Sequence, residues 1–295
     1  MMSGEDDPRR GKPVATLRPG HVSLFRPGQR LPGDTVTLDQ RTGREVFMTP
    51  VSFAPLNSAK VWESITELTP DIDRLAGNGL FLDAEQHAVA RTFDMLRTRL
   101  LQGMAKHGWT RLAVTSPTHG CGKSFVAANL SLSLARLPSC RTVLLDLELR
   151  APHLAGLFGQ QDAAPISDFL SGDQPLEATF RRIGRNLALG LNGEPVALAA
   201  ETLQDPEFAK ALEALRDLLQ PDLVVIDTPP ALASDDVIAL AGQIDAVLLV
   251  TDGTRTSPAE ITECERLFDG RIPLLGVVLN RAQDMTPGRH RNRRR

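Results

Sequence analysis

Six short apolar runs constrain the fold more than any other feature of this sequence. From Arg111 onward they read "RLAVTS", "RTVLLDLE", "NLALGL", "PDLVVID", "IDAVLLV" and "PLLGVVLN". They are continuous rather than alternating, rich in leucine and β-branched residues, and separated by stretches with helical spacing. A strand that is apolar at successive positions has to be covered on both faces, as in a parallel sheet held between two helical layers. Two of the intervening segments and one upstream stretch carry helical patterns. "KSFVAANLSLSLARL" follows the first run, and "PEFAKALEALRDLLQ" places Phe208, Leu212, Leu215 and Leu219 on one face. Upstream, Val89, Phe93, Leu96, Leu100 and Met104 recur every three or four residues and predict a helix from about Ala84 to Met104. The expectation is a three-layer α/β domain with a mostly parallel central sheet flanked by helices.

The ends of the chain read differently. Residues 1–80 are rich in Pro and Gly ("RPGHVSLFRPGQRLPGD"), with one hint of a hairpin around Thr42 and Gly43, and are expected to form an irregular N-terminal extension. The domain spans 81–284, and 285–295 form a basic tail with Arg289, Arg291, Arg293, Arg294 and Arg295. Such a tail can contact acidic lipids, at about 1 kcal/mol per basic residue near the surface, or simply solubilise the chain. No apolar run approaches the ~20 residues of a membrane-spanning helix. The opening "MMSGEDDPRRGKP" lacks the apolar core of a secretory signal. Cys121, Cys140 and Cys264 show no metal-ligand spacing, and neither do the histidines. Trp62 and Trp109 are expected to be packing residues.

The first apolar run leads into "TSPTHGCGKS" and then a helix. Glycines at 120 and 122 let backbone N–H groups turn toward an anion, and the following helix presents its positive end. Lys123 would reach the β and γ phosphates of a nucleotide, and the Ser124 hydroxyl would ligate Mg²⁺. The general spacing has a glycine where Pro117 stands, so the pattern alone could be a surface loop. Two acidic strand ends argue for more. "VLLDLELRAP" ends a strand in Asp146 and Glu148, and "DLVVIDTPP" ends another in Asp227. Such acids hold Mg²⁺ or accept a proton in nucleotide hydrolases. A single acid at a strand end is often a turn or cap residue; three beside a phosphate loop are hard to assign that way. The expected nucleotide-binding set is Thr118, His119, Gly120, Cys121, Gly122, Lys123, Ser124 and Phe125, with a P-loop NTPase fold around them.

These stretches, together with "FDMLRTRL", "ISDFLSGDQPLEATF" and "GVVLNRA", resemble the bacterial tyrosine kinases of the capsular and exopolysaccharide type. That family lies within the larger group of ATPases that includes the Min- and Par-type positioning proteins. The likeness runs from about Arg91 to Gln283. It implies ATP and Mg²⁺ as cofactors, with Ser124, Asp146, Glu148 and Asp227 around the metal. By the same likeness Asn280 falls at the adenine, Arg281 joins the nucleotide-binding set, and Lys123, Asp146 and Asp227 are the catalytic set. It further implies a membrane-embedded polysaccharide chain-length (co-polymerase) protein as adaptor and a homo-oligomer. The expected location is cytoplasmic, recruited to the inner face of the plasma membrane. No specific nucleic acid is expected.

The departures are specific. Positioning ATPases carry an extra lysine where Thr118 stands, and the kinases have proline at His119 and a second aspartate at Glu148. The Glu-x-x-Arg-x-x-Arg pattern of the family's oligomerisation helix reads Arg91, Asp94, Arg97 here, so a charge-swapped pairing between subunits and a plain solvated face both stand. The family's tyrosine-rich tail has no counterpart, since the 295 residues contain no tyrosine. Autophosphorylation on tyrosine within them is therefore excluded. Two readings stay open: an enzyme that hydrolyses ATP or phosphorylates a partner protein, and a non-catalytic pseudokinase scaffold. A Min- or Par-like positioning ATPase is the remaining alternative.

Overall fold

The computed structural model of the protein describes residues 57–82 and 87–282. Seven strands form one sheet: β1 (Arg111–Thr115), β2 (Thr142–Asp146), β3 (Phe180–Ile183), β4 (Leu187–Gly190), β5 (Leu223–Asp227), β6 (Ala246–Asp252) and β7 (Leu274–Asn280). Their order is β3-β4-β2-β5-β1-β6-β7, and only the β3–β4 pair is antiparallel. The six apolar runs became β1, β2, β4, β5, β6 and β7. The strand missed by sequence is β3, a short edge strand whose central Arg181 and Arg182 carry no apolar signal.

Among the described residues, eleven helices accompany the sheet. The first four are α1 (Ser58–Ser64), α2 (Ile72–Gly77), α3 (Ala88–His107) and α4 (Lys123–Ala135). Short turns of helix follow as α5 (Leu154–Leu157), α6 (Ile166–Leu170), α7 (Leu176–Thr179) and α8 (Ala199–Gln204). The rest are α9 (Pro206–Leu219), α10 (Asp236–Ala239) and α11 (Pro258–Phe268). Helices α2 to α5 cover one face of the sheet; α1 and α6 to α11 cover the other. The strands alternate between these cores, as their period of two requires: Val143 and Leu145 face one, Leu144 the other.

Local chemistry sets the helix ends. Asp205 accepts from the N–H of Glu207 at 2.8 Å and Pro206 supplies the first turn of α9. Ser257 and Glu260 form a capping box at α11. Helix α3 begins at Ala88 and ends where Gly108 takes a left-handed conformation at φ 69°. Of its expected stripe, Phe93, Leu100 and Met104 are buried, whereas Val89 is exposed.

Two sequence expectations need correction. The stretch from Asn57 to Leu80 is not an irregular extension but a strap folded onto the domain; the hairpin expected near Thr42 and the basic tail lie outside the described residues. In α1, Val61 and Trp62 are buried, and the indole Nε1–H donates to Leu219 O at 2.8 Å, satisfying a carbonyl at the end of α9. The chain then crosses the edge of β3. Arg182 N–H donates to Thr66 O (3.0 Å) and Leu68 N–H to Arg182 O (2.7 Å), covering that edge. The strap's two helices are only 7 and 6 residues long and are held by distant residues, so no periodicity marks them in the sequence. The second correction concerns Asp94. Its carboxylate accepts from Ser133 Oγ at 2.6 Å, pairs with Arg97 at 3.2 Å and contacts Arg136 still more closely. Burial opposes its charge, but these partners win and hold its pKa below the ordinary value. Asp94 ties α3 to α4 within the chain rather than standing on a plain solvated face.

Trp62→Ala should lower stability by about 3–5 kcal/mol, the range for removing a buried aromatic side chain. Urea unfolding checks this, and a change below about 1 kcal/mol would show the strap to be dispensable.

Candidate functional site

Parallel pairing brings the carboxyl ends of β2, β5 and β1 side by side. Asp146 and Asp227 are direct partners across the β2–β5 pair, and Val114 stands opposite Asp227 on the other side. The loop after β1 lies over these ends and is fastened to the segment after β5. Ala231 N–H donates to Ser116 O (2.7 Å), Thr228 N–H to Val114 O (3.1 Å) and Thr115 Oγ1–H to Pro229 O (2.7 Å). Gly120 and Gly122 have φ of 82° and 92°. The conformation at Gly122 favours glycine, and a Cβ there would collide with the Asn280 amide. Thr118, His119 and Gly120 are exposed at the loop crest, while Cys121, Lys123 and Ser124 are buried.

Lys123 opens α4 with its side chain only 10% exposed. Its Nζ lies 2.8 Å from Glu148 Oε2, an ion-pair distance, although the angles fall short of a well-formed hydrogen bond. Burial works against the ammonium charge, but Asp227, Glu148 and Asp146 outweigh it and raise its pKa above the ordinary value. Burial is also the largest influence on the acids. Together with Asp227 it lifts Asp146 well above the ordinary carboxylate range, despite the Glu148 N–H that donates to Asp146 Oδ1 at 3.2 Å. Asp227 is pushed up from 3.8 to about 6 by burial, with Lys123 and the nearby Ser124 hydroxyl pulling the other way. Neither of its carboxylate oxygens accepts a hydrogen bond of ordinary geometry, so the attraction of Ser124 is weak.

Buried polar atoms almost always have partners, so the orphans here are informative. Asp146 Oδ2, Glu148 Oε2 and both carboxylate oxygens of Asp227 are buried without hydrogen bonds. Among the described residues, no three His, Cys, Asp or Glu side chains converge as a metal cage. The donor set therefore does not suit a metal held by protein alone. It suits Mg²⁺, which keeps several waters and takes one or two carboxylates with substrate phosphates completing its octahedron. Ser124, Asp146 and Asp227 remain available for that. Glu148, expected at the metal, is turned to Lys123 instead.

The other wall of the loop comes from the ends of β6 and β7. Asn280 Nδ2–H donates to Cys121 O at 2.9 Å, and Arg281 Nη1–H donates to Gly120 O at 2.8 Å and to Asp252 Oδ2 at 2.6 Å. Asp252 also accepts from the Thr254 hydroxyl (2.6 Å) and N–H (2.8 Å), which with Arg281 hold its pKa down to about 2. Asn280 and Arg281, expected at the nucleotide, brace carbonyls of the loop in this structure. Phe125 is spent on packing, edge to face with Phe93 at 5.8 Å, so only its backbone faces the loop side. Sequence reasoning missed Asp252, although "LLVTDG" ends a strand in an acid just as "VVIDTPP" does. It also missed the paired contacts of Arg150 with the buried Asp236 at 2.9 and 3.3 Å.

The family model for ParA, described as the NUBPL iron-transfer P-loop NTPase, matches residues 109–293. Among curated proteins, the putative tyrosine-protein kinase EpsB of Ralstonia nicotianae is 35% identical over 190 residues, covering 63% of this chain and 24% of that protein. Tyrosine-protein kinase CpsD of Streptococcus agalactiae serotype III is 29% identical over 180 residues, 59% of this chain and 75% of the relative. The chain thus spans about a quarter of EpsB. Among solved structures, the VpsO kinase domain is 30% identical with a TM-score of 0.58, covering 66% of this chain and 96% of that one. The kinase domain of Escherichia coli ETK is 25% identical with a TM-score of 0.63, over 72% and 82% respectively.

Asp227 gives the site a pH signature. Its folded pKa of about 6 exceeds the ordinary 3.8, so the folded state holds the proton more tightly and this group favours folding at low pH. That benefit is lost as pH rises through 6, a swing on the order of 3 kcal/mol. Without nucleotide, Asp227→Asn should melt above wild type at pH 8, and the two melting temperatures should converge toward pH 4.

Proposed function

Given that the chain belongs to the ParA family of P-loop NTPases, we propose that it binds Mg-ATP and either hydrolyses it or passes its γ-phosphoryl to a partner protein. In this reading it is a kinase-like regulator of exopolysaccharide or capsule synthesis. The single observation that carries the proposal is the set of orphaned carboxylate oxygens on Asp146, Glu148 and Asp227 around the Lys123 ammonium. Unpaired buried carboxylates beside a buried ammonium are costly to a fold, and a phosphate-bearing ligand with its cation would offset both charges.

The chain's own groups divide the work. Backbone N–H groups of the loop and the start of α4 hold phosphate oxygens. Lys123 stabilises charge on the β and γ oxygens, and Ser124 and Asp227 are the residues that would hold the cation. Mg²⁺, when bound, would neutralise charge shared between the two phosphates. Asp146 Oδ2 accepts the proton of the incoming hydroxyl or water; burial beside Asp227 makes it a stronger base than a surface carboxylate. No tyrosine stands in these 295 residues, and in this proposal the phosphoryl acceptor is water or a partner protein.

The relatives named tyrosine-protein kinases support transfer to a protein, and the resemblance to capsular kinases suggests a partner on the polysaccharide export path. In this proposal a membrane-embedded co-polymerase recruits the domain to the inner membrane face. Among the described residues no helix is long and apolar enough to cross a membrane.

The test is γ-labelled ATP with Mg²⁺, using wild type and Lys123→Ala, with and without membranes from the source cells. Free phosphate or label on a partner protein is expected, falling by at least about a hundredfold in the variant. Equal turnover by both proteins would remove the proposal. ATP binding without either product would leave a scaffold.

A further inference from the structure

Lys123 already has an anionic partner. The carboxylate of Glu148 is 2.8 Å from its Nζ, and the glutamate side chain is only 2% exposed. Backbone contacts on either side hold Glu148 in place. Leu147 N–H donates to Asp227 O at 2.9 Å, Glu148 N–H to Asp146 Oδ1 at 3.2 Å, and Val196 N–H to Leu149 O at 2.8 Å. Oε2 has no hydrogen-bond partner, so the charge of Glu148 is offset chiefly by Lys123. Length matters too. An aspartate on the same backbone would fall on the order of 1.5 Å short of the ammonium.

A nucleotide phosphate and Glu148 therefore need the same cation. When Lys123 turns to a phosphate, a buried carboxylate is left beside Asp146 and Asp227 with nothing to offset it, and removing one partner of a buried pair is costly. We infer that Glu148 is an internal competitor for Lys123, which latches the empty phosphate site and sets its affinity for nucleotide phosphates. The inference rests on the reading of this loop as a nucleotide site. Glu148 acts through Lys123 and is a positioning residue rather than a catalytic one.

The measurement is ADP binding in EDTA, by titration calorimetry, so that no cation contributes. Wild type, Glu148→Gln and Glu148→Asp are compared, and Glu148→Gln is repeated in a Lys123→Gln background, with melting curves to show that each protein is folded. If the latch leaves about a tenth of molecules competent, Glu148→Gln should bind ADP about tenfold more tightly than wild type. Glu148→Asp, which keeps the charge and loses the reach, should recover part of that gain, and the gain should vanish in the Lys123→Gln background. Equal or weaker binding by Glu148→Gln, with wild type still binding, overturns the latch and leaves the nucleotide site standing. A gain that persists without Lys123 also overturns it, since Glu148 would then act by direct repulsion. Should neither protein bind ADP, or ATP with Mg²⁺, the latch and the nucleotide reading fail together.

Discussion

Register between β2 and β5 sets Asp146 directly opposite Asp227, where solvent does not reach either carboxylate. Two like charges on adjacent strand ends repel, and burial withholds the water that would screen them. The arrangement persists because the sheet, with continuous apolar cover on both faces, fixes the backbone independently of what those side chains prefer. Most of the site follows from that constraint. Lys123 is held at the first turn of α4, where its charge partly relieves the acids, and Glu148 supplies a third carboxylate that the lysine must also serve.

Positioning this cluster takes a frame wider than the loop. The segment after β5 ties down the beginning of the loop, while Asn280 and Arg281 brace its crest through backbone carbonyls. Helix α4 is buried along nearly its whole length, and its serines bond inward, Ser131 to Ala127 O and Ser133 to Asp94. Asp94 thereby links the helix that carries Lys123 to α3. Stability is thus invested in the scaffold and withheld from the acids, a pattern expected where a fold holds charges for a ligand.

The sheet was largely readable because each of its central strands is apolar at successive positions through its middle and therefore legible without partners. The phosphate loop was readable for a different reason: glycine, lysine and serine at fixed spacing have few structural uses together. What escaped depends on contacts far apart in sequence. The strap from Asn57 to Leu80 is held by Leu219 and Arg182, more than a hundred residues away, and its helices are too short to show a period. Strand β3 is two arginines between two apolar residues and pairs only along one edge of the sheet. At the site, spacing placed Glu148 among the acids but could not say that one extra methylene turns it toward Lys123. Asp94 was legible as a charge out of sequence with its family's pattern, whereas its partners Ser133 and Arg136 come from another helix.

Arg281 joins two parts of the molecule that have separate tasks. Its guanidinium grips the carbonyl of Gly120 and the carboxylate of Asp252, while its backbone, at φ 53°, turns the chain just past the end of β7. The phosphate loop and the point where the chain leaves the sheet therefore share a single hinge pin. A shift of the Gly120 peptide has to break a charge-assisted hydrogen bond or carry the guanidinium with it. The loop is thereby coupled to the end of β7, on the far side of the sheet from the acids.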